Sequence, residues 1–225
     1  MKWNVKRAAA ATLGLMMAFQ TAPTVSAQAA QAPEWNTEVL SVSQIGGYES
    51  GQFNVDGGVM EIVAYNRNTG RAYAINGQSG TLASISLKDL QGNGTFEKLE
   101  GIDIDVKGLV EAADSGFAYG DMTSVAVSPD QTTLAAALQA EDYRDPGRVA
   151  LFSCNSDGSL TLKGLAVTGI QPDMVTFANN TTVLTADEGE PREGYGNGTT
   201  DPKGSVTIVN TDSLISRTVG FDAFD

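Results

Sequence analysis

The sequence predicts an all-β protein, a β-propeller of four-stranded blades, and three observations lead to this prediction. Short segments rich in β-forming residues recur after residue 35, and several alternate apolar with polar residues as half-buried strands do. Turns rich in glycine, asparagine and aspartate separate these segments. The segments also group into three consecutive units of four, a repeat that is typical of propeller blades. A β-sandwich made of similar hairpins is the alternative fold.

The first 27 residues, Met1–Ala27, have the pattern of a secretory signal peptide. A start with three Lys or Arg residues is followed by an apolar run, and Val25-Ser26-Ala27 supplies a small-residue cleavage site. Because the apolar run is too short to cross a bilayer, we expect export without membrane insertion after cleavage. The mature protein is therefore expected outside the cell, on the cell surface or in the periplasm.

Residues 28–36 are expected to form a flexible lead-in, and residues 37–225 the propeller domain. The three blades are predicted over about residues 57–110, 121–169 and 171–220. In order, their predicted strands are Val59–Tyr65, Ala72–Asn76, Thr81–Leu87, Ile102–Val106, Ser124–Val127, Leu134–Gln139, Arg148–Cys154, Leu160–Val167, Met174–Phe177, Thr182–Asp187, Gly204–Asn210 and Leu214–Val219.

Three stretches need separate interpretation. Leu134–Ala140 contains residues of high helix propensity, but its place in the repeat predicts a strand. Gly108–Gly120 is predicted to be a linker with one helical turn at Leu109–Ala113. Thr37–Val42 is predicted to be a single strand ahead of the first blade. Because propellers close with four to eight blades, we expect this chain to be the N-terminal part of a larger propeller of about seven blades, or an incomplete product. Thr37–Val42 would then complete the last blade.

The charge balance limits the partners that the protein can bind. Removal of the leader takes away three of the 14 Lys and Arg residues and none of the 27 Asp and Glu residues, so the mature charge is 11 − 27 = −16. A field of this sign repels nucleic acid and anionic membranes, so neither is expected as a partner. It suits a solvated exported protein, or one that gathers cations.

Two composition features exclude several kinds of active site. The sequence has no histidine, which excludes a Ser-His-Asp triad, imidazole-bound zinc or copper, and His-ligated haem within this chain. Cys154 is the single cysteine, so the chain has no internal disulfide and no cysteine-rich metal site. It ends an apolar strand, where buried packing is expected in preference to a nucleophilic role.

Several stretches together resemble the choice-of-anchor I family. They are Gly58–Tyr65, Thr123–Asp130 followed by Gly147-Arg148-Val149, and Pro172–Phe177 followed by Ala186–Arg192 and Asp201–Ile208. The family consists of exported bacterial β-propeller proteins related to the mesenchyme-specific cell-surface glycoproteins of echinoderm skeletons. The resemblance implies an exported or surface protein. Some relatives carry the label alkaline phosphatase-like, which implies a metal-dependent phosphoesterase as the alternative function.

The acidic loops after the second strands of the second and third units are the candidate functional residues. Equivalent loops of adjacent blades leave the same face of a propeller, so their carboxylates are expected to lie close together. Hard cations such as Ca²⁺ are bound by carboxylate, carbonyl and water oxygens. The candidate metal ligands are Asp187, Glu188, Glu190 and Asp201, with a weaker case for Glu141, Asp142 and Asp145.

Other interpretations of these loops remain open at this point. The carboxylates can be ordinary solvated groups, with Arg144 and Arg192 in local ion pairs that contribute little. Arg192 and Lys203 can also grip an anion beside a metal, as in phosphate-handling sites. The sequence therefore predicts an exported, non-catalytic module that binds a protein or glycan partner and that can bind Ca²⁺ through acidic loops. The alternative is a phosphoesterase whose remaining active-site residues lie in blades outside this chain.

Overall fold

The computed structural model describes residues 42–55, 58–88, 90–92, 94–196 and 198–224. Three four-stranded antiparallel sheets, the blades, dominate this part of the chain, and each follows chain order. Blade 1 contains β2 (Met60–Asn66), β3 (Arg71–Asn76), β4 (Thr81–Ser86) and β6 (Gly101–Asp105). Blade 2 contains β7 (Tyr119–Val127), β8 (Thr133–Ala140), β9 (Pro146–Cys154) and β10 (Leu160–Ile170). Blade 3 contains β11 (Pro172–Asn179), β12 (Thr182–Asp187), β13 (Ser205–Asn210) and β14 (Ser216–Gly220). The prediction of an all-β propeller is confirmed, and every predicted blade strand overlaps an observed one.

A small additional sheet fastens residues before blade 1 to the connection between β4 and β6. Strand β1 (Gly46–Gly47) pairs in parallel with β5 (Glu97–Lys98). The amide of Glu97 donates to Ile45 O at 3.0 Å, and the amide of Leu99 donates to Gly47 O at 2.8 Å. Two-residue strands are too short to show a period of two, so the sequence pattern does not predict them.

Helix α1 (Val106–Ala113) joins blade 1 to blade 2 and is longer than the single turn predicted at Leu109–Ala113. The prediction that β6 runs to Val106 is also wrong. Asp105 ends the strand and caps the helix, because its carboxylate accepts a hydrogen bond from the amide of Gly108 at 2.9 Å. Val106 and Val110, one turn apart, are both fully buried, so packing holds the helix in place.

The core between blades 1 and 2 contains the large side chains. Tyr73, Ile75 and Leu82 of blade 1 belong to the same buried cluster as Leu134 and Phe152 of blade 2. In each strand the alternate residues point to opposite faces of the sheet, so each blade can pack against a neighbour on either side. The packing of large side chains is therefore concentrated at this interface.

The core between blades 2 and 3 is built from smaller residues, chiefly alanine and valine. Ala135, Ala137 and Val149 of blade 2 share a buried cluster with Val183 and Val209 of blade 3. Strand β8 lies between the two clusters, and seven of its eight residues are buried. Burial on both faces explains why this stretch is a strand although leucine and alanine favour helices.

Hydrogen bonds between the first strands of the blades hold the sheets together. Thr123 Oγ1 donates to Pro172 O at 2.7 Å, and the amide of Val175 donates to Ser124 Oγ at 3.2 Å. The strands β7 and β11 are therefore fixed side by side, as the first strands of adjacent propeller blades are.

The predicted signal peptide, the lead-in and all but the last residue of the predicted strand Thr37–Val42 lie outside the described residues. Val42 itself is described and is not in a strand. Among the helices of the described ranges, none has both the length and the apolar character needed to cross a membrane.

Candidate ligand-binding site

The loops between the second and third strands of blades 2 and 3 lie side by side. They are residues 141–145 and 188–204, and together with the shorter loop 77–80 of blade 1 we call them the loop face. Gln171, which is 1% exposed, bridges the two longer loops because its Nε2 donates to Tyr143 O at 3.1 Å and to Glu190 O at 2.6 Å. The hydroxyl of Tyr143 also donates to Thr200 O at 3.5 Å.

Gln171 is the single residue between β10 and β11, and its backbone is strained. Its φ is 55°, in the left-handed region that residues other than glycine rarely adopt. The hydrogen bonds of the side-chain amide stabilise this strained conformation, and so does a backbone bond in which Glu188 N donates to Gln171 O at 2.9 Å. Strained residues that are fixed by several contacts concentrate at functional sites. Gln171 is not among the predicted site residues, and its place as a one-residue link between two strands was the available signal.

Arg192 is held by neutral amides and not by carboxylates. Its Nε donates to Gln171 Oε1 at 3.2 Å, and its Nη2 donates to Gln139 Oε1 at 3.0 Å. Lys203 instead forms an ion pair with Asp222 and lines a different cavity. Arg192 and Lys203 thus line separate cavities, and their joint grip on one anion stays a prediction.

A cavity of about 590 Å³ opens on the loop face beside Arg192. This volume lies within the range of about 300–1,000 Å³ that is common for small-molecule sites. The lining comes from α1, from blade 2 and from the long loop of blade 3. Its polar side chains are Lys107, Tyr119, Asp121, Gln139, Glu141, Tyr143 and Arg192.

The charged groups of this cavity are partly desolvated. The Asp121 carboxylate reaches solvent but is enclosed by protein on its other sides, and this desolvation raises its pKa, with a further contribution from Glu61. The amide of Met122 opposes the rise by donating to Asp121 Oδ1 at 2.8 Å. The Lys107 ammonium lies 5.6 Å from the centre of the Tyr119 ring, a cation–π distance.

The cavity wall also contains the buried hydroxyl group of Tyr119. Tyr119 is buried, and among the described residues its hydroxyl makes no hydrogen bond of good geometry. Burial, followed by the charges of Asp121 and Glu111, raises the pKa of this phenol, and the nearby Met122 amide opposes the rise. A buried hydroxyl without a partner costs about 1–3 kcal/mol, so a partner that reaches it would be favoured.

Asp187, the first predicted metal ligand, has a structural position. It is 3% exposed and accepts hydrogen bonds from Thr185 Oγ1 at 2.7 Å, Ser205 Oγ at 2.8 Å and Thr207 Oγ1 at 2.7 Å. The amide of Gly169 also donates to it, at 3.3 Å. The carboxylate thus joins β12 to β13 and to the end of blade 2.

The other candidates of blade 3 lie at the surface. Glu188 is exposed, and partial desolvation raises its pKa, with smaller contributions from Asp173 and Glu190. Glu190 is exposed and is fixed through its backbone oxygen by Gln171. Asp201 is exposed and borders two smaller cavities, of about 380 and 340 Å³.

The candidates of blade 2 have three different surroundings. Glu141 is exposed and lines the cavity of about 590 Å³. Asp142 forms an ion pair with Arg144, whose Nε donates to Asp142 Oδ1 at 2.8 Å. These hydrogen bonds lower the pKa of Asp142 to about 2. Asp145 is exposed.

Across the ranges that the structure describes, no three acidic or cysteine side chains come close enough together to hold one metal ion. The loops do share a face, but their carboxylates are spread over hydrogen bonds, an ion pair and solvent. The metal-ligand assignment stays a prediction.

The chain is similar to several solved structures at low sequence identity. A putative 6-phosphogluconolactonase from Bacteroides fragilis NCTC 9343 is 20% identical, with a TM-score of 0.48, over 72% of this chain and 38% of that one. A periplasmic gluconolactonase from Pseudomonas aeruginosa is 17% identical, with a TM-score of 0.47, over 71% of this chain and 38% of that one. The chain thus spans less than half the length of these structures.

Sequence comparisons give a more specific result. No curated protein matches the chain. The profile of the choice-of-anchor I domain matches residues 61–225, which include all three blades except the first residue of β2. The match extends over most of the sequence, and so the chain belongs to the choice-of-anchor I family.

Proposed function

We propose that this chain is part of an exported, non-catalytic β-propeller protein that binds a glycan or protein partner at the cell surface. The observation that carries the proposal is the cavity on the loop face, whose walls come from blade 2, the long loop of blade 3 and helix α1. Gln171 and Arg192 tie these walls together, so the cavity is largely formed before a ligand arrives. Preformed sites of this kind bind without a large ordering cost.

The reactive groups of the chain favour binding over catalysis. Cys154, the single thiol, is half-buried, and burial raises its pKa to about 11, which disfavours the nucleophilic thiolate. The cavity contains carboxylates, amides and phenols, which recognise polar ligands through hydrogen bonds. Export is supported by the predicted signal peptide and by the family.

Bound Ca²⁺ on the acidic loops is a separate prediction, and it needs its own test. Thermal unfolding of the chain in EDTA and then in millimolar Ca²⁺ is the measurement, because a ligand that binds the folded state raises Tm. Glu190→Gln with Asp201→Asn is a better test variant than any change at Asp187, because both side chains are exposed. A rise that this variant removes would support the cation, and no rise would leave the carboxylates as surface groups.

A glycan array probed with the labelled chain tests the proposed function. Gln171→Ala removes three hydrogen bonds that hold the loop face, so its array signal should fall at least about fivefold, roughly the effect of one net hydrogen bond. Gln91→Ala, at an exposed glutamine away from the cavity, is the matched control. Both variants must keep a cooperative melt. If Gln171→Ala and the unchanged chain bind glycans equally, the loop face is not the glycan-binding site.

A further inference from the structure

We propose that the cavity on the loop face binds an acidic sugar, with the sugar carboxylate at Lys107 and Arg192 and its hydroxyls at Asp121, Gln139 and Glu141. The inference rests on the proposed function and names the class of glycan that the cavity would take.

The cavity contains two cations, Lys107 and Arg192, and Arg192 lies within electrostatic reach of Asp121 and Glu188. In the described part of the chain, neither Lys107 nor Arg192 forms an ion pair. Lys107 lies over an aromatic ring, and Arg192 bonds two glutamine oxygens. No contact ion pair occupies their donors, and two hydrogen bonds already orient the guanidinium. An anionic group that contacts these side chains would form charge-assisted hydrogen bonds, which act at short range, whereas salt screens the negative field of the whole chain.

Two carboxylates, those of Asp121 and Glu141, share the cavity with these cations. Asp121 feels the charge of Arg192 but is not in a direct ion pair with it, and one of its oxygens is occupied by Met122 N. Glu141 is exposed and has no ion-pair partner among the described residues. Carboxylates can only accept hydrogen bonds when ionised, so they require a ligand that also carries donors. Sugar hydroxyls supply such donors beside a carboxylate.

The size of the cavity suits a small ligand. Its volume of about 590 Å³ lies within the usual range for small-molecule sites and is small for a folded protein partner. Tyr143 lines the cavity, and an aromatic side chain can pack against the C–H face of a sugar. The buried Tyr119 hydroxyl without a partner is a further polar group in the same wall. These features favour a sugar over an inorganic anion, which has neither hydroxyls nor an apolar face.

Isothermal titration calorimetry of the chain with tri-galacturonate tests the inference. The matched control ligand is the same trisaccharide with its carboxyl groups methyl-esterified, which keeps the hydroxyls and removes the charge. Lys107→Gln and Arg192→Gln should each weaken tri-galacturonate binding about tenfold or more, because bonds to charged groups exceed one decade of affinity. Arg217→Gln on β14, outside the cavity, should leave binding unchanged.

The outcomes separate this inference from the proposed function. Binding of tri-galacturonate that falls with the cavity variants and with esterification supports the acidic sugar. Equal affinity for the esterified trisaccharide would overturn it while leaving glycan binding intact. No binding of either trisaccharide would overturn it too, and the glycan array then decides the wider proposal. Tighter binding of hexaglutamate, which weakens in the same variants, would assign the cavity to an acidic peptide instead. A thermal melt of each variant controls for folding.

Discussion

Replacement of Asp187 by alanine should destabilise the chain strongly, because this buried carboxylate is the centre of a hydrogen-bond network. Three hydroxyl groups and one backbone amide donate to it. Each bond to a charged acceptor is worth about 1.5–3 kcal/mol, and a buried donor left without a partner costs about 1–3 kcal/mol. Hydroxyls can turn to other acceptors, and Gly169 N keeps its bond to Thr207 at 2.9 Å. We therefore expect a loss of about 3–4 kcal/mol in the free energy of unfolding.

The assay is urea unfolding followed by circular dichroism, with thermal unfolding in parallel. For a chain of this size, the loss corresponds to a fall in Tm of about 10 °C. Asp212→Ala, in the exposed turn between β13 and β14, is the control and should change stability by less than about 0.5 kcal/mol. Equal stability of the two variants would refute the structural role of Asp187. A loss that occurs in Ca²⁺ and not in EDTA would instead make Asp187 a cation ligand.

Three further predictions concern single sites in blade 2. Asp142 should titrate near pH 2 by NMR, since hydrogen bonds from Arg144 lower its pKa to about 2. Arg144→Gln should move the titration midpoint of Asp142 towards the usual aspartate value, and an unmoved midpoint would refute the pairing. Because the folded pKa is depressed, this contribution to stability is complete above the usual aspartate pKa and is lost as the pH falls towards 2. Cys154, whose pKa burial raises to about 11, should react with iodoacetamide at pH 8 far more slowly in the folded chain than in urea, and equal rates would contradict its burial. Gly147→Ala should lower the free energy of unfolding by about 1–3 kcal/mol, because a Cβ there meets a backbone oxygen of blade 2 and a proline ring of blade 3. Gly92→Ala, where a Cβ would point into open space, should leave stability nearly unchanged in the same urea titration.

The fold could be predicted because strand periodicity and turn residues are local properties of the sequence. The alternation of Ile102 and Ile104 with aspartates is one example. Helix α1 was underestimated because Asp105 looked like one more polar residue of a strand, although it is the N-cap. Its capping hydrogen bond joins residues that are three positions apart, Asp105 and Gly108. A search for strands, which looks for alternation of period two, does not detect such a cap.

The candidate site was harder to predict because its geometry depends on contacts between blades. Asp187 was predicted to be a metal ligand because it lies in an acidic stretch. The hydroxyls of β13 that donate to it come from residues that are distant in the sequence. Gln171 and Gln139 carry no charge and no motif, yet they orient Arg192 from two different blades. Such contacts arise from the packing of sheets, which one sequence does not specify residue by residue.

The most direct test of the account is an NMR titration of the ¹⁵N-labelled chain with tri-galacturonate. We expect amide shift changes at the residues that line the cavity, which are Lys107, Tyr119, Gly120, Asp121, Gln139, Ala140, Glu141, Tyr143 and Arg192. The turn 155–159, at the other end of the blade 2 strands, should not shift. Shift changes confined to that turn or to the far surface of blade 3, or none at all, would contradict the claim that the loop face is the binding site.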